Sequence, residues 1–274
     1  MAEEQNYEKY FKQGIEKLKL NDESHITSII GVISGKGGVG KSLVTSLLAS
    51  SLKKDGLKVG ILDADITGPS IPKTFGYNLP AYQTDSLILP GVTKTGIKVI
   101  SSNMLLDKED TPIIWRSSMI VSLLGQFYKD VCWEELDVLL IDMPPGTGDI
   151  SLTTFQQIPL DGIIMVTTPQ DLVGMIVNKS IHMAEQMNIK MLGMVENMSY
   201  AYCPNCGEKL NLFGSLDDET WATRFEYPRL DQIPIDPNLV SYVDKGELEY
   251  FPDTYLKNTC KLIEDIIEEK KSNE

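Results

Sequence analysis

Gly35-Lys36-Gly37-Gly38-Val39-Gly40-Lys41-Ser42 decides the fold. It follows directly on an apolar run, Ile26 to Ser34, and opens into Val44, Leu47, Leu48 and Leu52, which recur at helical spacing. Strand, glycine loop and helix in this order fit G-x-x-x-x-G-K-[ST], a phosphate-binding loop. The chemistry demands these residue types. Glycines allow backbone N–H groups to converge on phosphate oxygens, and the helix that follows presents its positive end. Lys41 is expected to contact the β and γ phosphates and Ser42 to ligate magnesium.

Outward from this loop, further apolar runs read as strands: Lys58 to Ala64, Ile97 to Ser102, Leu136 to Met143, Gly162 to Thr168 and Met191 to Asn197. Several are apolar almost throughout, as parallel strands covered on both faces must be. Helical patterns lie between them, for example Met119, Ile120, Leu123, Leu124 and Phe127. The expectation is an α/β fold, a doubly wound and mostly parallel sheet with helices on both faces. Residues 1–25 (Tyr7, Tyr10, Phe11, Ile15, Leu18) read as an appended amphipathic helix and residues 26–274 as a single domain. Pro69, Pro72, Pro80 and Pro90 make residues 67–95 a long loop region, and Leu256, Cys260, Ile263 and Ile267 mark a closing helix.

The chain has 274 residues with 39 acidic and 25 basic side chains, a formal charge of -14. That balance repels phosphate backbones and anionic lipid, so nucleic acid and membrane surfaces are not expected partners. No apolar run approaches the roughly 18 residues of a membrane span, and Met-Ala-Glu-Glu lacks the features of a signal peptide. A cytoplasmic protein is expected, with its four cysteines as thiols.

Two acidic motifs accompany the loop. The second strand ends in Asp63-Ala64-Asp65, which puts carboxylates at the carboxyl edge of the sheet, where ligands of such folds sit. Val138-Leu139-Leu140-Ile141-Asp142 is an apolar strand ending in aspartate, the Walker B arrangement for magnesium. Pro144-Pro145-Gly146-Thr147-Gly148-Asp149 then forms a rigid turn whose glycine N–H groups are placed to sense a γ phosphate.

Further along, Cys203-Pro204-Asn205-Cys206-Gly207 is a metal knuckle: two intervening residues let both thiols bind one centre, and the glycine admits a tight turn. A redox pair and two inert thiols are the alternatives. One chain supplies two thiolates where a zinc or 4Fe-4S site usually takes four, so two copies across a two-fold axis would complete the set. Cys132 and Cys260 read as core thiols and the Met183 to Met198 tract as packing.

Together, Gly-Lys-Gly-Gly-Val-Gly-Lys-Ser at 35–42, Asp-Ala-Asp-Ile-Thr-Gly-Pro-Ser-Ile-Pro at 63–72, Ile-Asp-Met-Pro-Pro-Gly-Thr-Gly-Asp at 141–149 and Asn-Met-Ser at 197–199 resemble the Mrp family of iron-sulfur cluster carrier ATPases. The second lysine, Lys36, resembles the deviant Walker A motif of the nitrogenase-reductase and MinD class. In that class it reaches across a dimer to the partner's nucleotide; a solvated loop lysine is the alternative. The resemblance implies ATP hydrolysis with magnesium and a homodimer bridging a 4Fe-4S cluster that is delivered to apo iron-sulfur proteins. It also implies that Asp65 organises the attacking water, Asp142 supports magnesium and Asn197 reads the adenine edge. Trp115-Arg116-Ser117-Ser118 departs from the family's usual Gly-Pro after the Trp-Arg pair. Two other functions stand beside this one: a MinD or ParA type positioning ATPase with structural zinc at the cysteine pair, and a nitrogenase-reductase-like electron donor.

Overall fold

The computed structural model describes residues 17–66, 68, 70–84, 86–105, 117–146, 148–170, 175–252 and 255–273. In chain order the strands are β1 (Ser24–Ser34), β2 (Val59–Asp63), β3 (Tyr82–Gln83), β4 (Ile88–Leu89), β5 (Gly91–Val92), β6 (Lys98–Ser101), β7 (Glu134–Asp142), β8 (Gly162–Thr167), β9 (Met191–Glu196), β10 (Ala201–Tyr202), β11 (Lys209–Leu210) and β12 (Arg229–Gln232). The helices are α1 (Lys41–Lys54), α2 (Ile71–Thr74), α3 (Ser117–Lys129), α4 (Asp149–Gln157), α5 (Met175–Gln186), α6 (Asp218–Arg224), α7 (Pro237–Asp244) and α8 (Lys257–Asn273).

Eight strands form one sheet in the order β12-β9-β8-β1-β7-β2-β6-β5. All pairs are parallel except β5 with β6. This is the doubly wound α/β sheet that the apolar runs imply. Alternate residues of each central strand enter opposite layers, because successive side chains of a strand point to opposite faces. In β1, Ile29 and Ile33 join a core with Phe127, Trp133, Phe155 and Trp221. Ile30 and Val32 join the other core with Val44, Leu47, Leu48 and Ile263. Each layer buries a full helix face, and at about 25 cal/mol per Å² this apolar burial is the main force holding the sheet rigid. Cys260 lies in the second layer, and Met183, Met191 and Met194 pack in the first.

The strands start or end within two residues of the expected positions. Two differences are larger. Residues 67–95, expected as a loop, contain α2 and the antiparallel β3–β4 pair, and β5 adds an edge to the sheet. Prolines restrict helix interiors but not first turns, and α2 carries Pro72 at its start. Of the helix expected over 1–25, residues 1–16 lie outside the described residues, while 17–23 carry no helix and β1 begins at Ser24. That stretch is tied to the domain instead: Lys17 Nζ donates to Phe155 O at 2.8 Å, and the Asn21 amide donates to Lys129 O and Val131 O at 2.6 and 2.8 Å. Among the described residues no helix is long and apolar enough to cross a membrane.

Candidate functional site

The phosphate loop leaves the centre of the sheet, where β1 lies between β7 and β8. Gly38 and Gly40 take φ of 83° and 82°, the left-handed region that a side chain disfavours. Gly40 is also the N-cap of α1, whose first turn carries no acidic residue and no side-chain cap. The free N–H groups and positive end of a 14-residue helix therefore face the loop. Ser34 Oγ, at the end of β1, donates to Lys36 O at 3.0 Å and fixes the start of the bend.

Asp142, at the end of β7, gathers the polar groups of the first turn of α1. Lys41 Nζ and Ser42 Oγ donate to Asp142 Oδ2 at 2.7 and 2.6 Å, and Thr45 Oγ1 donates to Oδ1 at 2.6 Å. Lys41 is 5% and Asp142 0% exposed, so the charges meet away from water, where they interact strongly. Asp63 is the register partner of Asp142 on β2. Burial, and then the negative charge of Asp142, push the Asp63 carboxyl up to about 8, so it holds a proton at neutral pH. Ser101 Oγ lies 3.0 Å from its Oδ2, and the Asp65 N–H donates to its Oδ1 at 3.2 Å. Asp65 itself is half-buried and Lys36 exposed. The turn after β7 closes on the loop, with the Gly146 N–H donating to Ser34 O at 2.9 Å. That N–H, expected to sense a γ phosphate, is thus taken up by the strand end. Thr147, Trp115 and Arg116 lie outside the described residues.

Asn197 follows β9 and is buried. Its Nδ2 donates to Val39 O at 2.9 Å and its Oδ1 accepts from the Met198 N–H at 2.9 Å, so the amide joins β9 to the phosphate loop. Beyond it the chain makes a small hairpin from β10 and β11 that carries the cysteine pair. The Cys203 N–H donates to Glu208 O at 2.9 Å and the Gly207 N–H to Cys203 O at 2.8 Å, with Gly207 at φ 73°. This turn lets backbone N–H groups of Asn205 and Cys206 reach the Cys203 sulfur, and they hold its thiol below the usual range. Both cysteines are free; Cys206 is exposed and Cys203 half-buried. Tyr202, Leu210, Leu212 and Phe213 expose apolar surface around them.

The fold thus brings Lys41, Ser42 and Asp142 into direct contact and sets Asn197 against the loop, while Lys36 and the cysteines lie outside this buried cluster. Sequence reading missed Thr45 and Ser101. Thr45 was detectable, since one helical turn after Lys41 it must face the same strand. Ser101 reaches Asp63 only because β6 lies next to β2, which no local pattern reveals. Among the described residues no group of three or more His, Cys, Asp or Glu side chains is arranged to hold a metal.

Residues 25–269 match the ParA family, described as NUBPL iron-transfer P-loop NTPase. The chain is 48% identical over 235 residues to the iron-sulfur cluster carrier protein of Clostridium perfringens, covering 83% of this chain and 82% of that one. It is 42% identical over 240 residues to the cytosolic Fe-S cluster assembly factor CFD1 of Candida glabrata, covering 85% and 84%. A nucleotide-binding protein from Archaeoglobus fulgidus, solved in complex with ADP, superposes with a TM-score of 0.73 at 43% identity over 84% of this chain and 94% of that one. The cell division ATPase MinD of Pyrococcus furiosus superposes at 0.61 with 20% identity, over 88% and 99%, and shares the fold.

Proposed function

Because this chain belongs to the ParA/NUBPL family of iron-transfer P-loop NTPases, we propose that it is an ATP-hydrolysing homodimer that carries a 4Fe-4S cluster in the cytoplasm and hands it to apo iron-sulfur proteins. The observation that supports this most is the knuckle itself. Cys203 and Cys206 sit together on an exposed turn, one thiol acidified by backbone N–H groups, and one subunit offers two ligands where a cluster takes four. A second copy across a two-fold axis completes the set, and the apolar side chains around the turn give that contact surface to bury.

Lys41 and the loop N–H groups bind the phosphates, and nucleotide binding exchanges the Lys41–Asp142 contact for Lys41 on phosphate oxygen. Magnesium fits the residues present, since Ser42 Oγ and Asp142 Oδ2 form a hard oxygen pair 2.6 Å apart. When bound it neutralises charge on the β and γ phosphates. Asp65, just past the carboxyl end of β2, orients the attacking water. Lys36 reaches the partner's nucleotide, adding charge where the anion develops. Asn197 keeps one amide N–H and one carbonyl lone pair beyond its two bonds, the pair an adenine edge requires. Its burial means the segment at Val39 shifts as the base docks.

The test is anaerobic reconstitution of the full chain with iron and sulfide, followed by metal and sulfide counts per dimer and transfer to an apo iron-sulfur enzyme. Wild type is expected to hold one cluster per dimer. Cys203→Ala and Cys206→Ala should bind nucleotide, lose the cluster and transfer nothing. A wild-type protein that prefers zinc and transfers nothing would leave the positioning ATPase in its place.

A further inference from the structure

Glu196 is the last residue of β9, immediately before Asn197, and is 1% exposed. Its Oε2 accepts from Arg229 Nη1 at 3.2 Å and from Gln232 Nε2 at 2.5 Å. Arg229 Nη1 also donates to Leu216 O at 3.0 Å, Nη2 pairs with Asp218, and the guanidinium lies 4.9 Å from the Trp221 ring. Leu216 is the point where the chain returns from the cysteine hairpin to the domain. One guanidinium therefore joins the end of the strand that precedes Asn197 to the outgoing stem of the hairpin.

The incoming stem is held by the same edge. The Ser199 N–H donates to Ile233 O at 3.0 Å and the Ile235 N–H to Tyr200 O at 2.7 Å, both just after β12. Between the stems the turn bonds to itself, through Cys203 with Glu208, Gly207 with Cys203, and Gly214 with Asn211. The direction in which the cysteines point thus depends on two stems fastened at β12. That strand is held to β9 by its parallel backbone ladder, and the Glu196–Arg229 pair adds the side-chain tie that reaches the outgoing stem at Leu216. A buried ion pair is a poor way to gain stability, because desolvation offsets the attraction. It is a good way to fix one element against another, since breaking it leaves a buried charge unmatched.

We infer that the Glu196–Arg229 pair is the positioning element through which movement of Asn197 on nucleotide binding reaches the Cys203–Cys206 hairpin. Asn197 bonds to the phosphate loop through Val39 and Glu196 is its peptide neighbour. A shift of the loop pulls on β9, Arg229 carries the shift to Leu216, and the cysteine turn reorients. The inference rests on the reading of Cys203 and Cys206 as thiolate ligands. It adds the route by which the nucleotide changes their hold on the centre.

The experiment uses the full chain and cobalt(II) alone as the probe, followed by sulfur-to-cobalt charge-transfer absorbance with and without magnesium ATP. In wild type, nucleotide is expected to change the apparent cobalt affinity about fivefold or more, as linked sites typically do. The paired replacement Glu196→Gln with Arg229→Met removes the link without stranding a charge. It should melt cooperatively, bind ADP within about twofold of wild type, and show a nucleotide effect close to onefold. Arg229→Lys, which lacks the planar fork that serves Glu196, Leu216 and Asp218 together, should lose more than half of the effect and guards against misfolding of the pair. The ratio is the readout because general loosening weakens cobalt binding equally with and without nucleotide. A folded paired variant or Arg229→Lys with the full wild-type ratio overturns the inference, as does wild type with thiolate bands and no nucleotide effect. Wild type without thiolate bands overturns instead the ligand reading on which it stands.

Discussion

The amide nitrogen of Asn197 lies 2.2 Å from the position a Cβ on Gly40 would occupy. The end of β9 is thus packed against the bend of the phosphate loop, with no room for a methyl group unless the Asn197 amide is displaced. Gly40→Ala meets two penalties, the displaced amide and a left-handed φ of 82°. A loss of about 1–3 kcal/mol in stability is expected, with a large loss of ADP affinity. Urea unfolding and ADP titration measure both. Asn197→Ala relieves the clash but also loses the amide's bonds to Val39 O and the Met198 N–H, so the double variant should be destabilised by less than the sum of the two single changes; full independence of the two changes would contradict the contact.

Lys41→Ala is expected to abolish ATP hydrolysis and also to destabilise the nucleotide-free protein by about 3 kcal/mol, because Asp142 is left as a buried charge without its cation. Adding Asp142→Asn should restore most of the stability and none of the activity. Hydrolysis at the wild-type rate in Lys41→Ala would refute the site.

Asp63 makes stability depend on pH with a definite sign. Its carboxyl titrates near 8 in the folded chain against an ordinary value of 3.8, so the folded state binds the extra proton between these limits. Protons bound more tightly by the folded state mean that stability falls as pH rises through this window and levels off above it. Unfolding of nucleotide-free protein at pH 5, 7 and 8.5 measures the slope. Asp63→Asn, neutral at every pH, should remove this contribution, and an unchanged slope would count against the assignment.

Lys36 is exposed on the loop, outside the buried cluster. If it serves the neighbouring subunit's nucleotide, Lys36→Ala homodimers should lose hydrolysis while still binding ATP. Mixed dimers with a hydrolysis-dead Lys41→Ala partner should then regain part of it, as sites that share residues across an interface do. Normal turnover in the Lys36→Ala homodimer would make it a solvated side chain.

The four thiols should react at two speeds. Backbone N–H groups acidify Cys203 and leave it accessible beside exposed Cys206, whereas burial and nearby carboxylates push Cys260 up to about 12 and Cys132 is buried. Brief alkylation of metal-free protein at pH 7.5, mapped by mass spectrometry, is expected to label Cys203 and Cys206 and spare the other two. Protection of the first pair on cluster loading would follow from ligation.

The sheet was legible because its central strands are buried on both faces and so spell themselves as apolar runs, and because the glycine loop must sit between strand and helix to bind phosphate. β12 was not, since Arg229-Leu230-Asp231-Gln232 is mostly polar and, among the described residues, pairs only with β9. α2 and β3 to β5 were hidden by prolines that local rules assign to loops.

What the sequence determined by itself is the chemistry on offer: a lysine and serine at the head of α1, an aspartate ending β7, and two thiols in one tight turn. Short-range spacing suffices for these because each motif lies within a single bend of the chain. Only the tertiary structure decided which groups meet. Parallel register set Asp63 beside Asp142 and raised its affinity for a proton. Packing of β9 against the loop placed Asn197 on Val39, and pairing of β12 with β9 brought Arg229 to Glu196 from 33 residues away. Those contacts depend on strand order, and strand order is settled by how the two apolar layers close over the whole sheet, which no local stretch of residues encodes.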